Sequence, residues 1–141
     1  MRLPITILAA FIVAGMAAAC SIGTETGPSP VNISGAWRYT ALQQAPTQSS
    51  ISGTLTVTDQ AGTTFDGSFD AIEVLPDGSS RRLLGPVHGQ TLDASTLDFD
   101  VMLDVSRRHV AVIRGDTAAG NWLAESSSVT AAGSFQMVRI K

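Results

Sequence analysis

The sequence predicts an all-β domain, and three observations carry the prediction. From residue 33 onward, apolar and polar side chains alternate with a period of two in short runs. Clusters of Gly, Pro, Asp and Ser separate these runs. The same region holds no stretch with the 3.6-residue apolar period of a helix that could cover a sheet. About eight short antiparallel strands joined by tight turns would leave open edges, and closure removes edges altogether. A small up-and-down barrel is therefore expected over residues 33–141, with a two-sheet β-sandwich as the alternative.

Ahead of that domain the chain has a different character. Met1-Arg2 supplies one positive charge, and Leu3 to Ala19 contains no charged residue and only Thr6 as a polar one. A charged start, an apolar stretch and a small-residue exit form the pattern of a cleaved secretory signal over residues 1–19. The run is short for a membrane span, which needs roughly 20 apolar residues. Met16-Ala17-Ala18-Ala19-Cys20 resembles the lipobox of bacterial lipoproteins, with Ala17 standing where leucine is usual. The resemblance implies cleavage between Ala19 and Cys20 and attachment of a diacylglycerol to the Cys20 sulfur. Cys20 is the only cysteine in the chain, so no internal disulfide competes for it. Ser21 replaces the aspartate that retains such proteins at the inner membrane, which implies an outer-membrane address. Two or more acyl chains anchor a protein stably, so the membrane is the expected partner through Cys20. Residues 20–32, rich in Ser, Gly, Thr and Pro, read as a flexible tether.

The strands follow in order. Ile33, Gly35, Trp37, Tyr39 and Ala41 share one face, as do Ile51, Gly53, Leu55 and Val57 in the second run. Asp59-Gln60-Ala61-Gly62 reads as a turn into a third run with Phe65, Gly67 and Phe69 on one side. A separate short strand is expected over residues 71–75, before the turn Pro76-Asp77-Gly78-Ser79. Residues 81–88 return, and Gly85-Pro86 implies an edge, bulge or break there. Leu97, Phe99, Val101, Leu103 and Val105 alternate with Asp98, Asp100, Met102 and Asp104, which predicts a half-buried strand over residues 97–105. A tight hairpin through Ser106-Arg107 leads to residues 108–114, and runs at 120–125 and 133–140 complete the set. Asp59 to Gly62 and, loosely, Asp116 to Gly120 suggest a repeated hairpin turn.

Two short segments at the ends of this domain resemble one family. Gly35-Ala36-Trp37 is similar to the Gly-x-Trp start of the first strand in calycins, the lipocalin and avidin-like barrels. Gly133 to Arg139 resembles their closing strand. The resemblance implies that Arg139 packs over Trp37 at the closed end of the barrel. The avidin ligand set does not carry over, because the chain has only Trp37 and Trp122.

Composition narrows the function classes. Loss of residues 1–19 would remove only Arg2, leaving 8 basic residues against 12 acidic ones. Scattered basic residues in an acidic chain exclude nucleic acid as an expected partner. No Gly-x-Ser-x-Gly elbow or phosphate loop is present, and His88 and His109 lie in separate runs, reading as strand-surface or satisfied core residues. Asp98, Asp100 and Asp104 lie about 7 Å apart along one face, too far to wrap a single ion. They read as a solvated face balanced by Arg108 and Arg114. No enzymatic activity, metal or cofactor is expected. What remains is binding of a small apolar ligand or an envelope protein, with Tyr39, Phe65, Phe69, Phe99 and Phe135 as candidate ligand-lining residues inside the barrel. A filled core in a structural envelope module, or an inhibitor of a secreted enzyme, is the alternative.

Overall fold

The computed structural model describes residues 29–141. The expected signal segment, Ala19, Cys20 and most of the tether lie outside the described residues. Eight antiparallel strands close into one barrel in sequence order: β1 (Gly35–Ala45), β2 (Ser49–Ala61), β3 (Thr64–Val74), β4 (Ser80–Thr91), β5 (Thr96–Val101), β6 (Arg107–Arg114), β7 (Thr117–Glu125) and β8 (Thr130–Arg139). The barrel, rather than the sandwich, is the fold. β1 pairs with β8 from Trp37↔Arg139 to Gln43↔Gly133, so no sheet edge remains.

Alternation decides which side chains enter. In β6, Arg107, His109, Ala111 and Ile113 are buried while Arg108, Val110, Val112 and Arg114 face out. Across the barrel the interior is mainly apolar, and the exterior mixes polar residues with exposed Leu, Ile and Val.

Several strand limits differ from the sequence expectation. β3 is one strand, where two were expected, and its inward set runs on through Ala71 to Glu73. β4 passes through Pro86 unbroken: the residue is exposed and pairs with Ser68 of β3. β5 ends at Val101 rather than Val105. Its ladder with β4 begins at Val87↔Val101, beside the proline that has no N–H to offer. One further bond, from Met102 N to Pro86 O at 2.9 Å, closes the pairing, and Leu103 and Val105 then fold half-buried over the barrel end. The repeated turn is Ala61-Gly62-Thr63-Thr64 and Arg114-Gly115-Asp116-Thr117, not the segment ending at Gly120. Gly62 and Gly115 have φ of 61° and 60°. In each turn the threonine hydroxyl donates to the carbonyl three residues back, at 3.1 and 3.0 Å.

Candidate functional site at the barrel mouth

The two ends of the barrel differ. At one end residues 29–34 cross the opening and are pinned from inside. Gln60 accepts from Ile33 N at 2.9 Å and donates to Val31 O at 2.8 Å. The Trp37 indole donates to Ile33 O at 2.8 Å. Arg139 lies with its guanidinium carbon 4.3 Å from the centre of the Trp37 ring, and it donates to Ser34 O and Asn32 O. This end is sealed by the two residues that the calycin resemblance singles out.

The middle of the barrel is solid. Tyr39 meets Phe69 edge-on at 4.9 Å and stacks on Phe135 at 5.6 Å. Phe99 lies 6.1 Å from Phe65 and 5.8 Å from Phe135. These five residues are at most 4% exposed and fill the interior with one another, so the expectation that they line a ligand space is corrected. The inward glycines leave no room for a ligand. A Cβ on Gly53 would fall 2.2 Å from Asp70 O, and one on Gly67 would fall 2.0 Å from Thr56 O. Both mark close strand approach, which narrows the barrel around its rings.

His109 belongs to this core. Its Nδ1 faces Arg107 O at 2.8 Å and its Nε2 faces the Tyr39 hydroxyl at 3.0 Å. The carbonyl can only accept, so Nδ1 carries the proton and Nε2 accepts from Tyr39. The ring stacks on Phe99 at 4.6 Å. Burial is the main cause that pushes the His109 pKa down to about 3, with the Arg107 charge adding to it against the carbonyl hydrogen bond. Burial likewise raises the Tyr39 hydroxyl. His88, by contrast, is exposed and pairs with Asp66. On the outer acidic face Asp98 pairs with Arg108 at 2.8 Å.

At the open end, four strands bring together charged residues that sequence reasoning did not single out. Glu73 of β3 is fully buried; Ser49 of β2 donates to its Oε1 at 2.6 Å, and Arg81 Nε of β4 donates to its Oε2 at 2.7 Å. Burial works against the Glu73 charge, but these hydrogen bonds and the two nearby guanidinium groups outweigh it and hold the carboxyl below its usual range. Arg107 of β6 lies 3.7 Å from Glu73 Oε2 with its side chain only 9% exposed, and it covers Trp122 at 4.6 Å from the ring centre. At 3.7 Å this is an ion pair without a hydrogen bond. The guanidinium of Arg107 makes no hydrogen bond to the described residues.

Above this floor is a cavity of about 270 Å³. Leu83, Leu103, Val105, Ala124, Val129 and Ala131 form its apolar wall, with Gln43, Arg81, Arg107 and the exposed Asp104 as polar members. The signal for Glu73 and Arg107 was present in the period-two pattern. Counting back by twos from Ile113 reaches Arg107, and counting forward from Phe69 reaches Glu73.

No family model and no curated protein matches this chain. Among solved structures, it is similar to EF1p2_mFAP2b bound to DFHBI, at 14% identity and a TM-score of 0.63, covering 76% of this chain and 93% of that one. A redesigned β-barrel, mFAP1, bound to DFHBI matches at 14% identity and a TM-score of 0.58, over 75% and 94% of the two chains. An S-type phycobiliprotein lyase from Guillardia theta matches at 11% identity and a TM-score of 0.53, over 77% and 89%. At these identities the likeness is one of fold.

Proposed function

We propose that this chain is a lipid-anchored protein of the bacterial envelope whose barrel binds a small amphipathic molecule in the cup at its mouth. The observation that carries this reading is the cup itself: an apolar wall closed below by a largely buried guanidinium that Glu73 faces at 3.7 Å and that makes no hydrogen bond to the described residues. Small-molecule sites have this composition, mostly apolar with a few placed polar groups. That two barrels of similar fold are bound to DFHBI is compatible with it. The site differs from the one expected from sequence, because it lies above the aromatic core and not within it.

The anchor rests on the lipobox resemblance at Cys20. The described chain joins the barrel at the sealed end, so an anchor at Cys20 would hold the cup on the side away from the bilayer. Ser21 favours the outer membrane. The test is native mass spectrometry of the full chain extracted from its host membranes. A bound molecule of low mass is expected, and Ala131→Leu, which fills the cup, is expected to remove it. A protein that carries nothing, or whose bound molecule is unaffected by Ala131→Leu, would overturn the cup as the site. The filled core would then favour the structural-module alternative.

A further inference from the structure

Resting on the reading of the cup as a binding site, we infer that its ligand carries a carboxylate that is held by Arg107. The argument begins with hydrogen-bond supply. A guanidinium presents five N–H donors and stays charged in a protein. Arg107 is 9% exposed at its side chain and has Glu73 as its one close anion. Glu73 turns its Oε1 to Ser49 and its Oε2 to Arg81 at hydrogen-bond distance, and Arg107 stands farther off. The Glu73 oxygen is 3.7 Å away, so charge is balanced while the donors go unanswered. These donors are not sealed in the core: Trp122 Nε1 is the one fully buried side-chain N or O atom without a partner among the described residues, so the Arg107 N–H groups open onto the cup.

Geometry fixes where an acceptor would come from. Trp122 occupies one face of the guanidinium, with its ring centre 4.6 Å from the central carbon. Arg107 also lines the cup, so its free N–H groups can be reached from there. Water can fill that role beside the polar members Gln43, Arg81 and Asp104, but Leu83, Leu103, Val105 and Ala131 on the rest of the wall offer water nothing. A ligand with an oxyanion head and an apolar body answers both surfaces at once. A planar carboxylate matches the planar fork, and charge-assisted bonds are about twice as strong as neutral ones. A cavity of about 270 Å³ corresponds to roughly nine water volumes, which suits a body of about ten non-hydrogen atoms. Asp104 stands exposed at the rim, in solvent, and weakens an anion's approach without blocking it.

The experiment uses octanoate, octanol and octylamine as probes of equal length. Binding to the full chain in detergent is measured by titration calorimetry and by Trp122 fluorescence. Octanoate is expected to bind with octanol weaker by roughly 10- to 100-fold, from loss of the charged hydrogen bonds, and octylamine is expected not to compete. Arg107→Met should bring octanoate down to the level of octanol, and Arg107→Lys should recover part of the loss. Ala131→Leu should abolish binding of both with Arg107 in place, and far-UV and near-UV dichroism checks that each variant is folded. Equal binding of octanoate and octanol, octanoate binding unchanged by Arg107→Met or by Ala131→Leu, or no octanoate binding at millimolar concentration would each overturn the inference. The native-ligand measurement stands apart: a molecule displaced by Ala131→Leu but not by octanoate sinks the carboxylate and leaves the cup.

Discussion

At the scale of single residues, the most informative is His109, because its proton has a thermodynamic signature. The folded chain holds this histidine at about 3, against an ordinary value of 6.5. The unfolded chain therefore takes up a proton as pH falls below 6.5 while the folded one does not. Stability is full above 6.5 and declines as pH falls toward 3, by up to about 1.4 kcal/mol per pH unit. Between pH 6.5 and 5 the loss is expected to be about 1–2 kcal/mol. Asp70, Asp93, Asp98 and Glu73 are all held below their usual values, so they keep their charge in that window. Urea midpoints of wild type and of the double variant Tyr39→Phe/His109→Phe give the check. The double variant keeps two rings in the core and removes both polar partners, and its midpoint should be flat from pH 6.5 to 5. An equally steep decline in both proteins would mean that His109 is not the group responsible. His109 could be placed on a strand from sequence, but not paired with Tyr39. Their 70-residue separation is bridged only by barrel closure.

At the scale of elements, the pattern of two was legible wherever apolar residues filled it. Residues 108–114 of β6 and residues 97–101 of the strand expected over 97–105 read correctly because every inward position from His109 onward, and every one from Leu97 to Val101, is plausible core. β3 is one strand where the sequence suggests two, and its inward series runs from Phe69 through Ala71 to Glu73, a carboxylate at an inward position that the hydrophobic pattern does not anticipate. Its burial makes sense only beside Ser49, Arg81 and Arg107, three residues on three other strands. The glycines show a second limit, since sequence cannot distinguish an empty inward position from a strand crossing. Gly53 decides between them by experiment. A Cβ there would meet Asp70 O at 2.2 Å and Ala71 Cα at 2.4 Å, so Gly53→Ala must push β2 from β3. The expected cost is about 1–3 kcal/mol, as for other overpacked sites. Gly62→Asn is the control, at a turn with φ of 61° and open space around the Cβ, where asparagine is tolerated. Chemical denaturation should separate the two clearly; a neutral Gly53→Ala would show that the strands are not in such close approach.

At the scale of the whole molecule, closure turns a row of eight strands into an object with two unlike ends. Closure was foreseeable from the absence of any helix to cover a sheet and from Trp37 and Arg139 at its seam. The contents of the open end were not, because Ser49, Glu73, Arg81 and Arg107 meet only after the strands have wound round the axis. The ends also give the proposed anchor a direction that can be measured. Strands of about ten residues, tilted as in barrels of this size, separate the ends by on the order of 25 Å. Thr63 is exposed in the β2–β3 turn at the sealed end, and Ser127 is exposed in the β7–β8 loop at the mouth. A dye placed through Thr63→Cys should transfer energy efficiently to an acceptor in the bilayer, while one placed through Ser127→Cys should transfer markedly less. With Cys20 blocked by the proposed lipid, the introduced thiol is the one that would take the dye. Cys20→Ser should abolish acyl labelling and release both labelled proteins from the membrane, or leave the precursor uncut. Equal transfer from both positions would remove the outward-facing cup, and membrane retention with unchanged labelling after Cys20→Ser would remove the anchor. The two results are independent, since a barrel lying on its side could still be tethered by lipid.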